Sequence, residues 1–150
     1  VFHQEERAAM NTAPVKTKII LDKFHFPRNL RAVPEIAGRH HEKVNGKGYP
    51  DGLTGDRIPL GSKIISVADV FDALTSRREY PKYDGDKTMG CGAMPLMQAI
   101  SIIQKEAGSC FALEVVSAFL RCLPGALRLY RGGHFAPEYV DEAIRRLAPE

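Results

Sequence analysis

Two adjacent histidines, His40 and His41, precede Glu42 and the run Asn45-Gly46-Lys47-Gly48-Tyr49-Pro50, and these are the residues best suited to chemistry. Neutral imidazole is a common ligand for transition metals. On a helix, neighbouring side chains point about 100° apart. The pair is therefore expected to serve two neighbouring ions, or one ion and one phosphate, rather than to chelate a single ion. A histidine pair by itself is a weak signal, and Asp69 strengthens it. Asp69 falls in Leu60–Ser76, where Ile64, Val67, Ala68, Phe71 and Leu74 recur every three or four residues and form one apolar face. A carboxylate at the border of such a face needs a partner. A metal ion shared with the histidines is one reading; a surface acid or a salt bridge between helices is the other. Asp72, on the same side, reads as a surface acid.

The elements that must position these residues are predominantly helical. Periodic apolar positions predict helices over Leu60–Ser76, Met94–Ala107, Leu113–Leu123 and Pro137–Leu147. Val15–Lys23 and Ala32–Glu42 carry weaker versions of the pattern. Pro59 and Pro137 suit helix starts, and Gly108 suits a stop. The glycines and prolines of Val44–Pro59 and of Tyr80–Ala93 predict two loops. Strand in Ala126–Arg131 is conceivable but not favoured. The fold class expected is all-α, as a single domain over residues 1–150.

Composition sets the frame. Hydrophobic residues are 44% and charged residues 26% of the 150, as in an ordinary globular domain with one core. The net charge is only +3 and acids interleave with bases, which gives no reason to expect nucleic-acid binding. Cys91, Cys110 and Cys122 are odd in number and lack a CxxC, which argues against a disulfide framework or a zinc ribbon. Cys110 and Cys122, inside apolar segments, are expected in the core as thiols. No apolar run reaches the ~20 residues that span a bilayer, and no secretory signal opens the chain. A cytoplasmic setting is expected. The chain starts at Val1 within a charged, helix-like stretch, as a cut through a larger protein would. Of the other histidines, His25 reads as packing or a helix end, and His3 and His134 are isolated. Met89, Met94 and Met97 read as core filler, and Tyr130 and Tyr139 as half-buried. Lys43 and Lys47 could attract an anionic nucleotide or simply be solvated. Gly46-Lys47-Gly48 is not a P-loop, lacking its spacing and its Ser or Thr.

The string His40-His41-Glu42, then Asn45 to Leu53 with Gly48-Tyr49-Pro50, then Ile58-Pro59, then Ile64–Thr75 (IISVADVFDALT), closely resembles the signature of HD-GYP domains. The match is ungapped from about Ile36 to Tyr80 and extends more weakly over roughly two-thirds of the chain. The resemblance implies an HD-superfamily helical bundle, here incomplete at its N-terminus. It implies a bi- or trinuclear metal centre of a divalent transition metal, often iron or manganese, and hydrolysis of cyclic di-GMP or a related nucleotide. By the same resemblance His40, His41 and Asp69 are metal ligands. Gly48, Tyr49, Pro50, Arg78 and Lys82 lie on the substrate side, with the forked donors of Arg78 suited to a phosphate.

Three departures from the family pattern qualify that expectation. No His-Asp dipeptide occurs in the chain, so the pair that names the family is absent. Thr12-Ala13-Pro14 stands where the family has His-Pro, and Ala13 offers no donor atom. Glu79 replaces a proline after Arg78, Pro81 takes the place of a basic residue with Lys82 one position later, and Asn45 stands where aspartate is commoner. The expected function is thus a metal-dependent phosphodiesterase domain for cyclic di-GMP, inactive as this piece and with no complete catalytic set. The alternative is a degenerate, non-catalytic signalling module that binds a cyclic dinucleotide or a protein partner, with an upstream sensor or receiver domain a natural companion. No membrane contact is expected.

Overall fold

In a computed structural model, residues 4–76, 82–84, 87–90, 92–130 and 135–147 are described, with side chains for 12–76, 92–129 and 135–147. The chain is all-α, with one short hairpin. Its helices are α1 (Gln4–Leu21), α2 (Val33–Gly38), α3 (Leu60–Thr75), α4 (Leu96–Lys105), α5 (Leu113–Tyr130) and α6 (Pro137–Leu147). The hairpin strands β1 (Lys82–Asp84) and β2 (Lys87–Gly90) pair antiparallel, with Tyr83 opposite Thr88. Two compact units are distinguished: Val1–Ser66 with Ala107–Ala112, and Val67–Glu106 with Leu113–Glu150. Helix α3 begins in the first and continues unbroken into the second.

In the first unit α1 runs straight through Pro14. The predicted segment Val15–Lys23 is therefore only its second half. Pro14 is buried while Ala13 is exposed. Helix α1 packs on α2 where Gly38, lacking a side chain, lets the stem of Lys18 approach; a Cβ there would sit 3.0 Å from the Lys18 Cβ. Pro34 occupies the first turn of α2, where its missing N–H costs nothing. The helix is only six residues long, shorter than the predicted Ala32–Glu42. Arg39 leaves helical geometry at φ −123° and its N–H turns back to the Ile36 carbonyl. The start of α3 is fixed in the same unit. Ser62 is fully buried and its hydroxyl donates to the Ile36 carbonyl at 2.9 Å. Gly61 lies against the Ile36 side chain, with no space for a Cβ.

The predicted loop Val44–Pro59 is folded tightly. Gly46, Gly52 and Gly55 have φ of +76°, +65° and +48°, the region side-chain-bearing residues avoid. Asn45 and Thr54 form an isolated antiparallel bridge, and a single 3-10 turn covers Gly55–Arg57. The N–H groups of Val44 and Asn45 donate to the carbonyls of Cys110 and Ser109. Leu53 and Ile58 carry the loop's apolar weight into the interior.

The second unit is held by apolar packing. Leu96, Ile100, Leu123, Leu127, Val140, Ala143 and Ile144 form one buried cluster, joined by the partly buried Phe71, Met97 and Phe119. Burying each such side chain is worth about 1.5–3 kcal/mol. Helix α5 extends beyond the predicted Leu113–Leu123, through Pro124 and Gly125, to Tyr130. Ala126–Tyr130 is therefore helix rather than strand, and Arg131 lies outside the described residues. Leu127, 1% exposed in the core, explains why the helix continues. Helix α6 matches its predicted bounds. The Tyr139 hydroxyl accepts the Leu96 N–H at 2.9 Å, so its ring is anchored although more than a third of the residue is exposed. The segment Tyr80–Ala93, predicted as a loop, contains the hairpin. Cys122 is exposed and Cys110 only partly buried, so neither is the core residue expected. His25 is exposed in the α1–α2 connection, ahead of a 3-10 turn at Arg28–Leu30. His3, Cys91 and His134 lie outside the described residues.

Candidate metal centre

His40 and His41 lie in the turn that follows α2, not on the helix itself. The expectation of side chains pointing about 100° apart therefore does not apply. The two ring centroids are 4.1 Å apart and the planes tilt by 40°. His40 Nδ1 lies 2.7 Å from the Ala37 carbonyl oxygen. A carbonyl only accepts, so Nδ1 carries the proton, and in the neutral ring Nε2 keeps its lone pair. Asp69 stands exposed on α3, one turn beyond Ser66 on the same continuous helix. One ligand atom from each of His40, His41 and Asp69 lies within 4.8 Å of the others. The set is two imidazoles and one carboxylate, a combination suited to first-row transition metals.

The turn at Glu42 organises the loop beside the histidines. Glu42 is 3% exposed. Its two carboxylate oxygens accept the N–H groups of Asp51, at 2.6 Å, and of Leu53, at 2.8 Å. A buried carboxylate is tolerable only when it is paired in this way. Gly48 then passes so close to the preceding turn that a Cβ would fall 2.3 Å from the Lys43 nitrogen and 2.5 Å from the Glu42 Cα. Glycine is required at 48 by this close approach rather than by an unusual φ. The Tyr49 N–H donates to the His41 carbonyl at 3.2 Å. Its ring stacks on the His41 ring with centroids 4.9 Å apart and planes 25° from parallel. Pro50 follows through a cis peptide bond and is exposed. Asn45, flagged as unusual in type, accepts the Lys47 N–H and donates to the Ser109 hydroxyl. Lys43 and Lys47 are exposed beside the loop.

The predicted residues are thus distributed unevenly. His40, His41 and Asp69 come together, Tyr49 stacks on His41, and Gly48 and Pro50 adjoin Tyr49 in the chain. Arg78 lies outside the described residues. Lys82 is on β1, and its side chain is outside the described set. Ala13 is exposed on α1 and contributes no donor. Asp72 accepts the Ser76 hydroxyl at 2.9 Å, consistent with its reading as a surface acid. In the sequence Glu42 reads only as part of the His40-His41-Glu42 signature, with no role of its own. An acid placed immediately before a glycine-rich turn is the signal that could have found it, because such turns present unpaired N–H groups.

Comparison with known proteins places the chain in a family. Residues 1–115 match the profile of the HD domain family. The cyclic di-GMP phosphodiesterase of Thermotoga maritima is 40% identical over 114 residues, which cover 75% of this chain and 27% of that protein. The cyclic di-GMP phosphodiesterase response regulator RpfG of Xanthomonas campestris is 43% identical over 86 residues, 57% of this chain and 20% of that protein. The 3'3'-cGAMP-specific phosphodiesterase 3 of Vibrio cholerae is 36% identical over 94 residues, 63% of this chain and 18% of that protein. The matched region spans less than a third of each of these relatives. Among the described residues no helix is long and apolar enough to cross a membrane. With the family profile matching residues 1–115 of 150, the chain belongs to the HD domain family and is a domain of the HD-GYP type.

Proposed function

We propose that this chain carries part of the metal centre of a cyclic-dinucleotide phosphodiesterase, with cyclic di-GMP as the substrate and the cytoplasm as its setting. The observation that carries the reading is the convergence of one donor atom each from His40, His41 and Asp69 within 4.8 Å. The donor set fits a divalent transition metal; iron or manganese is what the resemblance to the HD-GYP family implies. Such an ion supplies Lewis acidity toward a phosphate oxygen. The residues of the chain do the positioning. The Ala37 carbonyl fixes the His40 tautomer, so Nε2 is the donor. Asp69 supplies negative charge to balance the ion. The Gly48-Tyr49-Pro50 loop borders His41 and forms one wall of the substrate side, with Arg78 and Lys82 as the proposed phosphate contacts.

A second reading is favoured by one observation. Ala13 stands exposed and without a donor atom where the family has histidine. On that reading the chain is a non-catalytic module that binds a cyclic dinucleotide, or a protein partner such as an attached sensor or receiver domain. Both readings predict weak metal binding and no hydrolysis by the 150-residue chain alone. Losing a ligand costs at least as much as losing a ligand's hydrogen-bond partner, which already costs about 10–100-fold in affinity or activity.

Calorimetric titration with Mn²⁺ and chromatographic assay of cyclic di-GMP turnover test this together. The expected result is weak Mn²⁺ binding abolished by His41→Ala, and no linear product. Tight binding that survives His41→Ala sinks the ligand assignment. Turnover abolished by His40→Ala sinks the claim of inactivity and makes the chain a complete enzyme. Nucleotide binding without turnover favours the second reading.

A further inference from the structure

We propose that Glu42 is a positioning residue for the metal centre, acting through Tyr49 on the orientation of the His41 ring. The inference rests on the reading of His41 as a ligand. Glu42 is not itself a candidate donor. Both of its oxygens are engaged by backbone N–H groups and the residue is 3% exposed. The same geometry argues against a role as a general base, which must reach the proton it abstracts.

The bonds of Glu42 close a loop. The Asp51 and Leu53 N–H groups are nine and eleven residues further along the chain, and both are drawn back to one carboxylate. This closure lays the Gly48 backbone directly on the Glu42 Cα. From there the next residue reaches His41 twice, by the Tyr49 N–H to its carbonyl and by the ring stack at 4.9 Å. The two imidazoles are thus steadied differently. The His40 ring is held from its own turn by the Ala37 carbonyl at 2.7 Å. The His41 ring takes one face from the loop, and the loop keeps its shape through Glu42. An amide at position 42 keeps the size of the side chain but sets an NH₂ against one of the two N–H donors. One bond is then replaced by a repulsion between donors.

The test uses the 150-residue chain, with Mn²⁺ as the probe and the imidazole proton resonances of the metal-free protein as a second readout. In Glu42→Gln and in Tyr49→Leu, the His41 ring resonances are expected to shift as the ring current of Tyr49 moves away or disappears, while those of His40 move less. Each variant is expected to weaken Mn²⁺ binding about 10-fold. The double variant is expected to be no worse than the weaker single one, because both act along one path. A folded Glu42→Gln with His41 resonances and Mn²⁺ affinity like those of the parent overturns the proposal, as do strictly additive losses. If the parent binds no Mn²⁺ but its His41 resonances respond as described, the metal reading fails and the link from Glu42 to the ring stands. Should Glu42→Gln not fold, Glu42→Asp, too short to reach both N–H groups, and Tyr49→Leu decide the matter by the same two readouts.

Discussion

The loop Val44–Pro59 and the helical core of α4, α5 and α6 are both well determined, but by opposite means. The core is held by many interchangeable apolar contacts around Leu96, Ile100, Leu123 and Leu127. The loop is held by a few directed ones: the Glu42 carboxylate, the Gly48 close approach and the Asn45–Thr54 bridge. Dispersion and burial are non-directional and summed over many partners, so damage to them is graded. Directed bonds either form or leave a buried group unsatisfied. Stability is therefore expected to reside in the core, and precision at the candidate site in the loop.

The largest stability effect should come from the core. Leu96 is fully buried, and Leu96→Ala is expected to cost about 2–5 kcal/mol, read as a lower midpoint in urea unfolding. The folded fraction should keep the His41 ring resonances of the parent. A change in those resonances would break the proposed division of labour.

Gly48→Ala should do the reverse. A Cβ 2.3 Å from a backbone nitrogen has no flexible neighbour to push aside. The expected stability loss is smaller, about 1–3 kcal/mol, as for other overpacked sites. The His41 resonances and Mn²⁺ affinity should nevertheless change clearly. An unchanged ring environment would show that the close approach is not what sets the loop.

The smallest effect is expected at the surface of α6. Arg146, by a side-chain hydrogen bond, and then Arg145 hold the Glu142 carboxyl below its ordinary value. With the folded value depressed, the contribution is present above the unfolded pKa and is lost as pH falls through the lowered folded value. The Glu142 side chain is 46% exposed, and such pairs are screened by water and salt. Titration followed by carboxyl resonances should show the lowered value, while Glu142→Gln leaves the unfolding midpoint unchanged. A measurable drop in the midpoint would move part of the stability from core to surface.

Where apolar periodicity was strong, the sequence was legible. Helices α3 and α6 appear within a residue of their predicted ends, although the predicted apolar face of α3 is buried only at Val67 and Leu74 while Ile64 and Ala68 are exposed. Pro124-Gly125 reads as punctuation and predicts an end near Leu123, yet burial of Leu127 outweighs the local cost of both residues and α5 continues to Tyr130. Nothing in Arg39-His40-His41 opposes a helix, so the sequence predicts a longer α2 than the six residues present. The turn there is set by contacts with residues far along the chain. The candidate ligands were legible by type and spacing alone. The role of Glu42 was not, since its partners are main-chain groups that no side-chain pattern announces.

Because Glu42 grips N–H groups and not side chains, the clamp is indifferent to much of the residue identity it closes upon. At position 51, where the side chain is exposed and its carboxylate meets the Arg39 guanidinium, the clamp itself asks for no more than an amide hydrogen. At position 53 the choice narrows to side chains that tolerate burial. Proline alone, which has no N–H to offer, is refused at both. Sequence drift in this turn is therefore expected to be wide at 51 and narrow at 53, with the geometry around His41 inherited unchanged.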